Sequence, residues 1–210
     1  MPMQATPFVY VGTYTDSGSQ GRAEGIFVYR FDSATGALRL VSSVADVVNP
    51  SFLAFDPTYR YVYAVNEVST MAGQAGGAVS AFAIDHASGG LRLLNQQRSH
   101  GAAPCYLSVD QTGRWLLGAN YGGGSIFIMP IAEDGRLRAA TSVIRHGSDQ
   151  ESSEQPTAHA HAIRPDPQNR FVLATDLGLD TVFVYRLDTA NGTLTTNDPP
   201  GVQSQTGAGP

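Results

Sequence analysis

Apolar and polar residues alternate with a period of two along most of the chain, and short turns separate the alternating runs. Clear examples are "AVSAFAID" (78–85), "SIFIMPIA" (125–132) and "TVFVYRLD" (181–188). This period is typical of half-buried β-strands, and no capped stretch at the helical period accompanies it. The pattern predicts an all-β protein built from many short strands.

The strands belong to a repeated unit. Segments 55–67, 109–121 and 165–177 share an Asp-x-x-x-Arg-aromatic start, an apolar run and a final Asn or Asp. The repeated positions are Asp56, Asp110 and Asp166; Arg60, Arg114 and Arg170; and Asn66, Asn120 and Asp176. Each unit continues with a third alternating run, a turn and a fourth run that starts at Leu91, Leu137 or Leu194. Four strands in a unit of roughly 50 residues indicate a blade of a β-propeller.

The repeat predicts a single partial propeller domain over residues 1–210. It divides into one three-stranded blade (about 6–48) and three four-stranded blades (about 49–102, 103–157 and 158–210). The first blade lacks its first strand, and the closing "GAGP" (207–210) stands where another first strand would begin. We therefore expect an incomplete ring, truncated after about four blades, whose open blade edges could pair two chains into a homodimer.

Composition narrows the classes of function. The net charge is −5 and the 13 Lys and Arg residues are scattered, which argues against a nucleic-acid partner. The single cysteine, Cys105, excludes an internal disulfide and a cysteine zinc cluster. No apolar run is long enough to cross a membrane and the N-terminus does not resemble a secretory signal, so we expect a cytoplasmic protein without a membrane partner.

The repeat also locates a candidate site. Counting back nine positions from each repeated arginine gives Ser51, Cys105 and His161, at the start of each first strand. First strands line the central channel of a propeller, and the end of each second strand lies beside that start. We therefore expect three groups at the channel mouth: His161 with Asp176; Cys105 with Asn120 and Tyr121; and Ser51 with Asn66 and Glu67.

The histidines of "HAHAIRPD" (159–166) raise the question of a metal. His159 and His161 would share one face of a regular strand, but no third ligand has a fixed spacing to them. Asp149, Glu151 and Glu154 could reach them, although we expect a solvated loop there. We therefore expect no metal and a functional His161 at the channel mouth, with a hydrogen-bonded structural histidine as the alternative.

Other positions have plainer interpretations. The repeated aspartates and arginines are expected at turns on the opposite face as structural residues, and Cys105 is expected to be a small packed thiol. The glycines of "NYGGGS" (120–125) predict a tight turn that needs a positive φ. His100 and His146 follow fourth strands, where we expect solvated loop residues that could add positive charge for an anionic ligand.

Taken together and in order, these motifs resemble the lactonase family of seven-bladed β-propellers. The resemblance is carried by "YVGTYT", "NPSFLAFDP", "YAVNE", "ANYGGGSI", "HAHAIRPD" and "GAGP", and it covers essentially the whole chain. The family includes cycloisomerase-type 6-phosphogluconolactonases and carboxy-muconate lactonising enzymes. It implies a catalytic role for His161 and substrate contacts from His159, Asn66, Glu67, Asn120, Tyr121 and Asp176. The arginine and glutamate that the family places after "GAGP" lie beyond residue 210.

The resemblance implies a sugar-lactone hydrolase, 6-phosphogluconolactonase-like, in which His161 is a general base that draws a proton from water. No cofactor is required, and the expected partner is a small-molecule sugar lactone. Two alternatives stay open. One is a muconate-type lactonising cycloisomerase at the same cleft. The other is a non-catalytic propeller that binds a ligand or a protein, in which case this truncated chain could be inactive.

Overall fold

The computed structural model describes residues 7–16, 24–147 and 157–210, which contain strands and no helix. The strands form one three-stranded and three four-stranded antiparallel sheets, besides a small hairpin. Within each of these four sheets, neighbouring strands are in chain order. This is the all-β architecture that the repeat predicted, with the first sheet one strand short.

The strands of the first two sheets follow in chain order. The first sheet contains β1 (Phe8–Val11), β2 (Ile26–Phe31) and β3 (Leu38–Val44). The second contains β4 (Leu53–Phe55), β5 (Tyr61–Asn66), β8 (Ala78–Ile84) and β9 (Leu91–Arg98), with the hairpin β6 (Thr70–Met71) and β7 (Gln74–Ala75) between its second and third strands. The repeat did not predict this hairpin, because the third and fourth sheets have only short turns, 121–124 and 177–180, at the equivalent position.

The third and fourth sheets complete the described structure. The third contains β10 (Pro104–Val109), β11 (Trp115–Asn120), β12 (Ser125–Pro130) and β13 (Ser142–Arg145). The fourth contains β14 (Ala160–Pro165), β15 (Phe171–Asp176), β16 (Thr181–Asp188) and β17 (Thr193–Gln203). The first strand starts, and the second ends, at what we call the upper end of each sheet; the opposite end is the lower end.

One strand begins later than the pattern predicted. The fourth run of the third sheet was expected from Leu137, but β13 begins at Ser142. Leu137 is buried, and the side chain of Asn95 in the second sheet takes both of its backbone groups. The Asn95 amide donates to the Leu137 carbonyl at 2.7 Å, and the Leu137 N–H donates to Asn95 Oδ1 at 3.0 Å. Leu137 still forms an isolated antiparallel bridge with Ile131, so the fourth run pairs briefly at this point and then again from Ser142.

The apolar core lies between successive sheets. Tyr63 and Val79 of the second sheet pack with Leu116 and Met129 of the third in one buried cluster, and similar clusters join the other neighbouring pairs. Every residue of β11 is buried, because the third sheet is covered on both faces. This packing confirms that the aromatic and aliphatic residues of the alternating runs form an inter-sheet core.

The lower turns confirm the structural interpretation of the repeated aspartates. Asp110 accepts hydrogen bonds from the Arg114 and Trp115 N–H groups, both at 2.9 Å, and the Thr112 hydroxyl donates to it at 2.6 Å. Asp56 and Asp166 accept the N–H groups of the residues at the same offset, Tyr61 and Phe171. Each aspartate therefore closes its own turn.

The first strands of neighbouring sheets lie side by side, as the propeller arrangement requires. The Ser108 hydroxyl on β10 donates to the Ile163 carbonyl on β14 at 2.7 Å, and the rings of Phe52 and Tyr106 pack with centroids 4.4 Å apart. A groove of about 290 Å³ runs along the first strands of three sheets and includes Arg164 in its lining. These strands form the inner wall of the arc.

Candidate functional site

The predicted pairing at the upper end is present in the third and fourth sheets. Pro104 at the start of β10 pairs with Asn120 at the end of β11, and Ala160 at the start of β14 pairs with Asp176 at the end of β15. The repeated slots that hold Cys105 and His161 therefore lie beside the ends of the second strands, as the topology indicated.

Both slots contain a feature that the sequence pattern did not predict. The pairing register shifts between Pro104 and Tyr106 and again between Ala160 and Ala162, so Cys105 and His161 are the extra residues of two equivalent β-bulges. A bulge changes the direction of the side chain it carries, and bulges are common next to functional sites. The strand that carries the histidines is thus irregular, contrary to the regular strand assumed in placing them on one face.

The two histidines nevertheless meet at one aromatic ring. His159 stacks on Tyr121 with centroids 4.5 Å apart and an interplanar angle of 14°, while His161 approaches Tyr121 edge-on at 5.8 Å. His161 is exposed, and His159 and Tyr121 are partly buried. Tyr121 belongs to the third sheet and the histidines to the fourth, so this three-ring cluster spans the boundary between sheets.

The histidines differ in how firmly their rings are held. His159 Nδ1 lies 3.1 Å from the Tyr121 carbonyl oxygen, a contact that places the ring proton on Nδ1 and the lone pair on Nε2. Among the described residues, the ring nitrogens of His161 make no hydrogen bond. His161 is thus presented to solvent at the upper end of the inner strand.

Cys105 lies against the backbone of this cluster. Its thiol points at the carbonyl oxygens of Ala160 and His161, with Sγ–O distances of 3.7 and 3.5 Å. Burial, followed by the negative charge of Glu67, raises the pKa of the Cys105 thiol to about 12. The thiol is therefore protonated at neutral pH and is a packed group rather than a nucleophile, as the sequence suggested.

A carboxylate group lies at the upper end of the second sheet. Glu67 Oε2 accepts a hydrogen bond from the Tyr14 hydroxyl at 2.9 Å and another from the Ser51 hydroxyl. Burial, followed by the hydrogen bond to Glu67, raises the pKa of Tyr14. The predicted pairing of Ser51 with Glu67 is present, and it leaves a partly exposed carboxylate facing the same end of the arc as the histidines.

Direct contact with a ligand was predicted for the three residues that end the second strands, but their burial does not fit this role. Asn66, Asn120 and Asp176 have no exposed surface. Asn66 bonds the Val48 carbonyl and the Ser80 hydroxyl, both at 2.8 Å. Further chain could only bury these side chains more deeply. This is a correction to the sequence interpretation: their amide and carboxylate groups hold the loops of the upper end together.

His146 also differs from expectation. We expected a solvated loop residue, but its side chain is buried, and Nδ1 lies 2.7 Å from Asp176 Oδ2. Its ring packs on Phe183 with centroids 4.3 Å apart. His100, in the corresponding loop of the preceding sheet, is exposed as predicted.

Within residues 7–16, 24–147 and 157–210, no three His, Cys, Asp or Glu side chains are grouped so that they could hold a metal ion. Asp149, Glu151 and Glu154, the loop residues considered as possible ligands, lie outside the described residues. No helix among the described residues is long and apolar enough to cross a membrane.

Tyr14 was not predicted at the upper end, and His146 was predicted to be solvated rather than paired. Tyr14 occupies the same slot in the first sheet as Glu67 and Tyr121 in the next two, so extending the repeat count backward would have identified it. His146 follows the outer strand of its sheet and reaches across to the neighbouring one. Only the packing of two sheets reveals that contact.

Comparison with known proteins adds a sequence relationship. Residues 8–210 match a family model described as Lactonase, 7-bladed beta-propeller. A 6-phosphogluconolactonase from Bacillus subtilis is 35% identical over 186 residues, covering 89% of this chain and 50% of the relative. Another, from Formosa agariphila, is 29% identical over 204 residues, covering 96% of this chain and 56% of the relative. The chain thus spans about half the length of the curated relatives it matches.

Solved structures give the same relationship in three dimensions. A candidate 6-phosphogluconolactonase from Bacteroides fragilis superposes with a TM-score of 0.87 and 37% identity, covering 100% of this chain and 58% of that protein. The periplasmic gluconolactonase of Pseudomonas aeruginosa superposes with a TM-score of 0.84 and 36% identity, covering 96% and 56%. Because that relative is described as periplasmic, a cytoplasmic location does not follow from the similarity.

Proposed function

Because the chain belongs to the lactonase family of seven-bladed β-propellers, we propose that its protein hydrolyses a sugar lactone, with 6-phosphogluconolactone as the substrate to test first. Relatives described as 6-phosphogluconolactonases and as a gluconolactonase support this substrate class. The observation that carries the proposal within the chain is an exposed histidine on a bulge of the innermost strand, at the end of the arc where the Tyr121 ring and the Glu67 carboxylate also lie.

In the proposed reaction His161 is the general base. Its neutral imidazole takes a proton from water as the water oxygen attacks the lactone carbonyl, and a tetrahedral oxyanion forms. The oxyanion then collapses, the ring C–O bond breaks, and the imidazolium returns the proton to the departing alkoxide oxygen. The product is the open-chain acid, and His161 is regenerated. Histidine side chains commonly take up and return a proton in this way in enzymes.

The surrounding residues would orient the reacting groups. Tyr121 supports both histidine rings, and the Tyr121 carbonyl fixes His159 with Nε2 as an acceptor for a substrate hydroxyl or for water. Glu67, already held by Ser51 and Tyr14, offers a second acceptor for sugar hydroxyls. Asn66, Asn120 and Asp176 support this arrangement from within the protein rather than by touching the ligand.

The test is a lactonase assay of the full-length protein and its His161→Ala variant. General-base catalysis contributes about 10²- to 10⁴-fold, so we expect kcat to fall by at least about a hundredfold after spontaneous lactone opening is subtracted. His86→Ala, an exposed histidine in a turn outside the site, is the matched control and should retain the wild-type rate. Equal rates for wild type and His161→Ala would remove His161 from the mechanism.

Substrate profiling separates the alternatives. A muconate-type cycloisomerase would turn over a dicarboxylate and ignore sugar lactones. A non-catalytic propeller would bind a lactone saturably without opening it. Turnover of glucono- or 6-phosphogluconolactone with no turnover of the diacid is the expected result.

The proposal keeps the predicted blade boundaries, at about residues 48, 102 and 157. It also keeps the possible homodimer, in which two chains would pair through the open blades at the ends of the arc. The outer faces of the first and fourth sheets expose apolar residues, including Leu40, Leu173 and Val202. Such faces are covered either by further sheets of the same protein or by a second copy. Light scattering of the full-length protein distinguishes them, because a monomer would contradict the dimer.

A further inference from the structure

The residue at the end of the second strand differs between the sheets, and the difference changes which hydrogen bonds its side chain can make. Asn66 and Asn120 use their amide N–H groups to bind backbone carbonyls in the loops that lead to the first strands, those of Val48 at 2.8 Å and Ser99 at 3.0 Å. In the fourth sheet the slot holds Asp176. An ionised carboxylate can only accept, so the loop must supply a donor.

His146 supplies that donor. It follows β13 of the third sheet, and its backbone N–H is fixed to the Gly124 carbonyl at 2.8 Å. Its side chain crosses to the fourth sheet and bonds Asp176 through Nδ1, where both side chains are almost fully buried. Nε2 of His146 has no hydrogen-bond partner in the described structure, so the bond to Asp176 is the polar contact that holds the ring.

The other oxygen of Asp176 holds the backbone just before the catalytic candidate. Oδ1 accepts the His159 N–H at 2.8 Å and the Leu179 N–H at 3.1 Å. The Leu177 N–H donates to the His159 carbonyl at 2.9 Å, so both backbone groups of His159 are fixed by this turn. Burial works against ionisation of Asp176, but these hydrogen bonds and the one from His146 keep its pKa below the ordinary carboxylate value.

The other sheets do not use the slot in this way. The residues equivalent to His159 are Asn49 and Ala103, whose N–H groups go to the Thr15 hydroxyl at 3.1 Å and to the Val68 carbonyl at 3.0 Å. Among the sheets described, only in the fourth does the side chain at the end of the second strand accept the backbone N–H two residues before the inner slot. That is the sheet that carries His159 and His161.

We propose that His146 and Asp176 are a positioning pair that holds the His159 backbone and the adjoining bulge in the geometry that His161 needs to act on a lactone. The inference rests on the proposed function. Neither residue touches substrate, because both are buried. His146 acts through Asp176, and Asp176 acts through the backbone of His159.

The experiment compares two substitutions of His146 in the full-length protein. His146→Leu removes the donor, whereas His146→Asn keeps an N–H group near the position of Nδ1. We expect kcat of the Leu variant to fall about tenfold to a hundredfold with KM changed by less than about threefold, because misplacement of a reacting group costs rates of this order. His146→Asn should recover most of that loss.

A second measurement does not depend on activity. Because Asp176 accepts the His159 N–H, loosening the pair should speed hydrogen–deuterium exchange in the peptide that covers residues 157–165. We expect faster exchange there in His146→Leu and near wild-type exchange in His146→Asn. Should the protein prove inactive on lactones, this measurement still decides whether the pair holds the backbone.

Asn169→Gly is the matched control for general destabilisation. Asn169 lies at the lower end of the fourth sheet, has a positive φ of 54° and donates to Asp110 at 2.9 Å, so glycine removes an inter-sheet bond without straining the backbone. This variant should lose stability and keep kcat. The proposal is overturned if His146→Leu keeps kcat within twofold of wild type, if it loses no more than Asn169→Gly, or if exchange in 157–165 is unchanged.

Discussion

Polar side chains hold the first strand beside the second at both the lower and the upper end of each sheet, but in different ways. At the lower end, Asp56, Asp110 and Asp166 all bond N–H groups within their own turn. At the upper end, Asn66, Asn120 and Asp176 occupy one repeated slot, yet each has a different set of partners drawn from other strands and loops. The lower end is uniform, and the upper end has diverged.

The difference follows from where the partners come from. A turn aspartate needs only its next few residues, so any chain that keeps the local pattern keeps the contact. A buried amide or carboxylate at the upper end must match donors and acceptors from the adjacent loop, and a change on one side requires a change on the other. The pairing of Asp176 with His146 is such a matched change.

The largest effect should come from removing Asp110, a turn aspartate that also accepts a hydrogen bond from another sheet. Asp110 is fully buried and, besides its own turn, accepts from Asn169 of the fourth sheet. Asp110→Ala leaves several donors without an acceptor, so we expect a loss of roughly 2 to 4 kcal/mol in the free energy of unfolding. Asp166→Ala, at a more exposed turn, should lose about 1 kcal/mol. Urea unfolding of the full-length protein measures both, and equal losses would contradict the distinction.

A smaller difference in stability is expected between substitutions of Asn66 and Asn120, which occupy the same position at the upper end of two sheets. Asn66 Oδ1 accepts from Ser80 and Gln96, whereas Asn120 Oδ1 is buried without a partner in the described structure. Asn66→Ala should therefore lower the free energy of unfolding by roughly 2 kcal/mol, and Asn120→Ala by about 1 kcal/mol. Melting temperatures of the two variants would show the order, and a larger drop for Asn120→Ala would mean that its bond to Ser99 carries more than we infer.

The smallest effect on stability is expected from relieving backbone strain in a lower turn. The slot before each repeated arginine has a positive φ, 56° at Tyr59, 71° at Gly113 and 54° at Asn169. Tyrosine is poorly suited to that region, while asparagine tolerates it. Tyr59→Asn should raise the free energy of unfolding by up to about 1 kcal/mol, partly offset by loss of ring packing on Phe55 at 5.8 Å. A clear drop in melting temperature would show that the ring contact outweighs the strain.

Much of the fold could be predicted because its signals are local and repeated. Alternation located the strands, and the recurring Asp and Arg positions set the length of each unit and the order of its strands. The prediction was less accurate at the fourth run of the third sheet, where Leu137 forms only an isolated bridge with Ile131 and β13 begins at Ser142. The β6–β7 hairpin was missed because the third and fourth units have only short turns at the equivalent position.

The site was only partly predictable. The sequence by itself determined which residues reach the upper end, because strand period and unit length fix the slots that hold His161, Tyr121 and Glu67. Only the tertiary structure decided which of those side chains are buried, how the bulge presents His161, and that His146 meets Asp176. The physical reason is that much of the burial at this end, and partners such as His146, come from neighbouring sheets, whose relative placement is set by the packing of the whole core.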